Sequence, residues 1–149
     1  MLTFAVEMLR DCLPEMKGLL AQHWEEIGST KDVMVLDPSY EEYLALEALG
    51  HTHVVIGRSA GRMIGYHVSF VRPHLHYRNT LSAIVDIYYV HPDFRGGAGY
   101  RLFRFVDASL KQRGVKAIFT ACKLKKDIGP LLERLGYVEH ERLYKKVIA

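Results

Sequence analysis

The sequence predicts an α+β fold with a single central sheet that is mostly antiparallel and contains one parallel βαβ crossover. Two strand-like runs, 52–58 and 62–71, are separated only by the short segment 59–61, which ends in glycine and is typical of an antiparallel hairpin. Residues 81–121 have the pattern strand, helix, strand. The two strands of such a unit lie parallel, with a right-handed connection. Two helical segments precede the hairpin.

The first half of the chain contains these two helices. Pro14 is tolerated only in a first turn, so we expect the first helix to begin near Asp11. Its apolar residues recur at steps of three and four, at Leu13, Met16, Leu20, Trp24 and Ile27. The second helix is predicted from a cap at Asp37 to Gly50, and 29–36 is a loop between them.

The remaining elements follow from periodicity and from glycines that end helices. Strands are predicted at 2–7, 81–90, 115–122 and 137–148. Helices are predicted at 100–114 and 127–136. The run 81–90 is almost continuously apolar, as in a strand covered on both faces. The predicted order is therefore β-α-α-β-β-β-α-β-α-β.

Composition sets the broad class. The 149 residues are 49% hydrophobic and 25% charged, enough for a core without disulfides or metal. Cys12 and Cys122 form no motif, and no run resembles a signal peptide or membrane span, so we expect a cytoplasmic protein. The net charge of +3 permits an anionic ligand without indicating nucleic acid.

A glycine-rich loop, HPDFRGGAGY at 91–100, joins the strand 81–90 to the next helix. The first N–H groups of a helix lack helical acceptors, and the helix dipole favours negative charge there. Glycines let the backbone approach a ligand, and Arg95 adds a guanidinium suited to phosphate oxygens. A phosphate site and an ordinary turn both remain open on this composition. No Walker triplet follows, and Leu102 interrupts a dinucleotide G-x-G-x-x-G pattern.

The loop resembles the signature V-x-P-x-[YF]-R-G-x-G-x-G-x-x-L of the GCN5-related N-acetyltransferases. The matching residues are Val90, Pro92, Phe94, Arg95, Gly96, Gly97, Ala98, Gly99 and Leu102. The segment LLERLGY at 131–137 resembles the family's late helix-to-strand segment, and the predicted order of elements is also that of the family. The chain also resembles small acetyltransferase-like proteins found in phage genomes.

The resemblance implies one acetyltransferase-like domain over 1–149. Its activity would be transfer of an acetyl group from acetyl-coenzyme A to a primary amine, by direct attack in a ternary complex. The pyrophosphate would lie on the amides of the loop, and pantetheine would pair with the splayed end of the preceding strand. The implied coenzyme-binding residues are Tyr88, Tyr89, Val90, Arg95, Gly96, Gly97, Ala98, Gly99, Tyr100 and Lys125. A homodimer is common in the family, and no membrane partner is indicated.

Asp86 is the candidate general base, because it is the only charged residue in 81–90 and a carboxylate in a buried strand needs a partner or a role. Family members often carry a catalytic carboxylate on this strand. A structural aspartate is the alternative. Burial should raise the pKa of Asp86 unless a cation such as Arg72 or Arg78 lies close. A backbone amide near Tyr89 would meet the developing oxyanion.

The acceptor pocket is expected to include His67, His74 and Tyr77, since this hairpin borders that side in the family; a surface hairpin is the alternative. His74 and His76 could share a strand face, but no third ligand has metal-binding spacing, so we predict no metal. The acceptor could be a protein lysine or N-terminus, a small amine or a modified nucleobase.

Two departures from the family pattern affect function. Aligned on Leu102, the loop is one residue short, with a single residue between Arg95 and Gly97. Aligned instead on Arg95, it has Ala98 in place of a glycine and Tyr100 in place of the last small residue. The tyrosine that often serves as general acid in the late helix is matched by Leu132. Tyr137 and Tyr144 could replace it, but we expect each to be structural. A coenzyme-binding module without transferase activity, or an interaction protein on the same fold, are therefore alternatives.

Overall fold

The protein is described by a computed structural model covering residues 1–148. The strands are β1 (Leu2–Val6), β2 (Thr52–Ser59), β3 (Arg62–His74), β4 (Tyr77–Val90) and β5 (Ala117–Phe119). The helices are α1 (Leu9–Ile27), α2 (Tyr40–Ala48), α3 (Ala98–Gln112) and α4 (Gly129–Arg134). Short 3-10 turns occupy Pro92–Phe94 and Leu124–Lys126.

The five strands form one sheet in sequence order, and this confirms the predicted fold class. Neighbours are antiparallel as far as β4, and β4 runs parallel to β5 through the α3 crossover. The parallel pairing covers only three positions, from Ser82 opposite Ala117 to Ile84 opposite Phe119. Beyond Ile84, no strand within residues 1–148 pairs with β4 on its β5 side.

Helices cover both faces of this sheet. The face that packs against α1 and α2 has a core of Leu9, Cys12, Met16, Leu19, Val54, Ile56, Met63, Tyr66, Val68 and Tyr89. The face that packs against α3 has a core of Val55, Val71, Ala83, Leu102, Val106, Leu110 and Val115. None of the helices within 1–148 is both long and apolar enough to cross a bilayer.

Helix α1 begins earlier than predicted, at Leu9, and Pro14 lies inside it. The prediction relied on residues next to the start of the helix, whereas the group that caps α1 belongs to a distant part of the chain. The Glu47 carboxylate, at the end of α2, accepts hydrogen bonds from the backbone N–H groups of Leu9 and Arg10. This remote cap satisfies two N–H groups that have no helical acceptor.

The predicted last strand, 137–148, is wrong. Within the described chain, residues 138–148 make no backbone–backbone hydrogen bond, and Leu143 is 90% exposed. The cause is the neighbouring strand: β5 is only three residues long, against eight predicted, so it offers little edge for pairing. The segment instead extends to the end of α1, where the Lys145 ammonium donates to the hydroxyls of Ser29 and Thr30.

Candidate active site

A β-bulge in β4 sets the position of Asp86. Val68 of β3 pairs with Ile87 and Ser69 with Val85, so Asp86 is an extra residue on β4. The bulge brings Asp86 and Ile87 to the same cavity on the α1 face. The prediction that this strand is covered on both faces is wrong here, because Ile84 is 47% exposed and Asp86 is also exposed.

The cavity beside Asp86 lies between α1, the start of α2 and the sheet, and it has a volume of about 290 Å³. Its lining is mostly apolar and consists of Leu9, Leu13, Met16, Leu20, His23, Trp24, Ile27, Leu36, Pro38, Tyr40, Tyr43, Val68, Asp86, Ile87 and Lys123. Leu20, Trp24 and Ile27, from the predicted apolar stripe of α1, are half-buried there. The stripe therefore forms a cavity wall as well as core.

Asp86 accepts a hydrogen bond from the Tyr43 hydroxyl at 2.5 Å. Asp86 is exposed on one side, and the protein that covers its other side removes enough solvent to raise the pKa of its carboxyl group, while the bond from Tyr43 acts in the opposite direction. The same surroundings raise the pKa of Tyr43, so its hydroxyl stays protonated and donates. Neither Arg72 nor Arg78 is among the causes of the Asp86 shift. The result is a carboxylate that holds a proton more readily than usual.

His23 and Tyr43 line the cavity, and neither is among the residues predicted for the site. His23 Nδ1 lies 2.6 Å from the Tyr66 hydroxyl, and the His23 ring stacks on Tyr89 at a centroid distance of 4.8 Å. Burial lowers the pKa of His23 to about 4, so the ring is neutral near pH 7. The spacing of Met16 and Leu19 could have placed His23 on the buried stripe. No sequence signal pairs Tyr43 with Asp86.

The glycine loop presents backbone donors. In the described chain, the five consecutive N–H groups of residues 96–100 have no hydrogen-bond acceptor, and helical bonding begins with Arg101 N–H to the Gly97 carbonyl oxygen at 3.1 Å. Gly96 has φ +103°, and a Cβ added at Gly96 or Gly97 would meet no atom within 4 Å. Unpaired backbone donors at a helix N-terminus suit a pyrophosphate. The loop therefore fits the phosphate part of a coenzyme, although it is one residue short.

The Arg95 guanidinium, predicted to bind the coenzyme, has partners within the protein. Its Nε donates to the Val90 carbonyl oxygen at 2.9 Å, and its second nitrogen bonds to the Glu26 carboxylate at 2.7 Å. Its backbone N–H is also paired, with the Pro92 carbonyl oxygen at 3.3 Å. The guanidinium lowers the pKa of Glu26. Arg95 therefore braces the loop against the end of α1.

The other predicted coenzyme residues surround the gap between β4 and β5. Tyr88 reaches across it, and its hydroxyl donates to the Ala121 carbonyl oxygen at 2.9 Å. Tyr89 is 5% exposed and packs under α1, so only its backbone faces the gap. Val90 is half-buried at the end of β4. Lys125 is exposed in the turn that follows β5.

The predicted acceptor residues lie elsewhere. His67 is fully buried on the α3 face, edge-on to Phe103 at 5.1 Å, and neither ring nitrogen has a partner among the described residues. His74 and Tyr77 lie at the hairpin tip. Ser69 pairs with Val85, which is next to Asp86. His74 is five residues further along β3 than Ser69, a distance of about 17 Å at strand spacing. None of these three residues lines the cavity beside Asp86, because strand alternation turns His67 away and hairpin length carries the other two beyond it.

The alternative acids and nucleophiles are occupied or distant. The Tyr137 hydroxyl donates to Asp107 Oδ1 at 2.8 Å, and Tyr144 is 83% exposed outside the cavity. Leu132, at the family's tyrosine position, is buried. Burial raises the pKa of Cys12 to about 11, so its thiol is not a ready nucleophile.

Solved structures share this fold over nearly the whole chain. A ribosomal-protein-alanine N-acetyltransferase from Brucella melitensis biovar Abortus 2308 is 19% identical, with a TM-score of 0.73 and 99% of each chain covered. An aminoglycoside acetyltransferase from an uncultured soil metagenomic sample is 14% identical, with a TM-score of 0.76 and coverage of 100% of this chain and 99% of the other. A predicted acetyltransferase with acetyl-CoA from Clostridium acetobutylicum is 12% identical, with a TM-score of 0.69 and coverage of 99% and 96%.

At these identities the likeness concerns the fold. No functionally curated protein matches the sequence. Residues 14–137 match the profile of the acetyltransferase (GNAT) family, which is most of the chain and includes the glycine loop, the β4 bulge and the late helix. The chain therefore belongs to the GNAT acetyltransferase family.

Proposed function

We propose that this protein is an N-acetyltransferase that moves an acetyl group from acetyl-coenzyme A to a primary amine by direct attack in a ternary complex. One juxtaposition carries the proposal. The unpaired end of β4 leads from Asp86, at a cavity, to the five free amides of residues 96–100. Hydrogen-bond donors suited to a coenzyme and a carboxylate suited to deprotonating an amine thus adjoin the same strand.

The chain's residues would hold the coenzyme as follows. The amides of 96–100 bind the pyrophosphate at the N-terminus of α3. The open edge of β4 beyond Ile84 pairs with the amides of pantetheine, as an added strand would. Lys125, exposed in the following turn, supplies a cation for a phosphate. When bound, acetyl-coenzyme A supplies an acetyl thioester.

Asp86 would act on the acceptor amine. Its carboxylate takes a proton from the amine, whose nitrogen forms a bond to the acetyl carbon while the carbon–sulfur bond breaks. A backbone amide near Tyr89 or Val90 stabilises the carbonyl oxygen. The thiolate leaves and takes a proton from solvent, since Leu132 replaces the usual acid. The raised pKa of Asp86 makes it a stronger base than an ordinary aspartate.

A coenzyme-binding module without transferase activity is the second candidate. It is favoured by Leu132 at the usual tyrosine position and by the engagement of Tyr137 with Asp107. Both candidates require the same coenzyme site, so only turnover separates them.

Two measurements test these candidates. Calorimetry with acetyl-coenzyme A should detect binding at one site per chain. Release of free thiol with a panel of primary amines should then show turnover that Asp86→Asn removes. Absence of coenzyme binding would eliminate both candidates. Binding without turnover on any amine would leave the module.

A further inference from the structure

We infer that the acceptor is a small monoamine with an apolar body, and that the cavity beside Asp86 selects it against diamines and polyamines. This inference rests on the proposed function, because it assigns the substrate class of the same site. It comes from the size, lining and charge of the cavity.

The wall of the cavity is mostly apolar, which favours an acceptor with an apolar body. Its lining includes eight large apolar side chains, Leu9, Leu13, Met16, Leu20, Trp24, Ile27, Leu36 and Ile87. Pockets for small molecules span about 300–1,000 Å³, and at about 290 Å³ this cavity is at the small end. It suits a short alkyl chain or a single ring attached to the reacting amine.

The charges on the wall give the selectivity. Among the described residues, Asp86 is the only carboxylate that lines the cavity, and Lys123 is the only lysine or arginine there. His23, also on the wall, is neutral because burial lowers its pKa to about 4. One ammonium group can therefore be paired with a carboxylate, and a second cannot.

A second ammonium would be disfavoured for two reasons. It would lose water against apolar side chains without gaining a counter-charge. It would also approach the Lys123 ammonium, which has the same sign. A methyl group at the same place gains from leaving water. The cavity thus discriminates between two amines of equal size that differ only at the far end.

Hexylamine and 1,5-diaminopentane are such a pair, since a terminal methyl group in one replaces an amine in the other. We expect kcat/KM for acetylation of hexylamine to exceed that for 1,5-diaminopentane by about 100-fold or more, because a buried unpaired charge is strongly disfavoured. Calorimetry of both amines, with free coenzyme A present, should show a preference in the same direction.

Lys123 allows the cause to be tested without disturbing the core, because its side chain is exposed at the rim. Lys123→Glu should reduce the ratio of the two amines about tenfold, by supplying a partner for the second ammonium. Lys123→Gln is the matched control and should reduce it less. An equal effect of both variants would overturn the electrostatic argument.

The outcomes separate this inference from the proposed function. If both amines are acetylated equally, the inference is wrong while the transferase function stands. If coenzyme binds but no amine is acetylated, the transferase function fails. The calorimetric comparison then still decides the inference: tighter binding of hexylamine supports it, and equal or reversed binding overturns it.

Discussion

Two aspartates accept hydrogen bonds from tyrosine hydroxyls, one on each side of the sheet. Tyr43 donates to Asp86 on the α1 side, and Tyr137 donates to Asp107 on the α3 side. In both, loss of solvent raises the pKa of the carboxyl group and the tyrosine opposes the change. The two pairs are therefore electrostatically alike.

They differ in what they face. Asp86 opens onto a cavity of about 290 Å³, while Asp107, on helix α3, joins that helix to the segment after α4. A raised pKa by itself does not identify a catalytic base, because a structural pair produces the same shift. Access for an acceptor makes Asp86 the candidate.

The sharpest test of this comparison is one substitution in each pair. Asp86→Asn should lower kcat/KM for amine acetylation by about 100-fold to 10,000-fold, the usual contribution of a general base, with acetyl-coenzyme A affinity unchanged. Asp107→Asn, the matched control, should keep turnover within about threefold, because a surface-side structural pair makes no contact with the cavity. Equal losses in the two variants would remove the assignment of Asp86.

The loss of stability at low pH allows a comparison between the buried histidines on the two faces of the sheet. Burial lowers the pKa of His23 and His53 to about 4 and that of His67 to about 3. The unfolded chain binds protons first, near pH 6.5, so stability is complete above that value and is lost as the pH falls towards 4. Each histidine should lower the folding equilibrium constant about 30-fold by pH 5.

Urea unfolding at pH 7.5 and at pH 5 measures this effect. The pKa of His67 is lowered further than that of His23, so His67→Phe should reduce the acid sensitivity at least as much as His23→Phe. An unchanged urea midpoint at pH 5 would contradict the assignment of neutral buried histidines.

A substitution at Gly97 tests the role of the glycine loop independently of the role of Asp86. In Gly97→Ala the new methyl group meets no protein atom within 4 Å, so the fold should tolerate it. It would occupy space in front of the free amides, and we expect acetyl-coenzyme A to bind roughly tenfold more weakly. Gly18→Ala, also with open space around it, is the control on α1. Unchanged affinity in calorimetry would argue against the amide site.

The smallest expected effect concerns the two tyrosines. Tyr43→Phe removes a bond that lowers the pKa of Asp86, so that pKa should rise further. The acidic limb of the pH–rate profile should then move to higher pH, with a loss of a few-fold near neutrality. Tyr137→Phe should leave the profile in place and cost about 1 kcal/mol in the free energy of unfolding. A shift of the profile in the Tyr137 variant would contradict the comparison.

Several parts of the fold could be predicted because their signals are local. The turn at 59–61, the apolar stripe of α1 and the strand–loop–helix pattern around Gly97 each depend on residues close in sequence. The start of α1 could not be predicted, because its cap is Glu47 of another helix. The prediction of a final strand was wrong for a similar reason. Alternation of apolar and polar residues does not reveal whether a neighbouring strand has a free edge for pairing.

The site likewise has some features that local sequence predicts and others that depend on distant residues. The sequence alone determined the element order as far as the late helix, the glycine loop, and Asp86 as the lone charge in an apolar strand. The tertiary structure decided that a bulge turns Asp86 to a cavity with Tyr43, that His67 faces the opposite side, and that Arg95 pairs with Glu26. The physical reason is range: periodicity and backbone propensity act between neighbours in sequence, whereas strand register and side-chain pairing depend on residues brought together by folding.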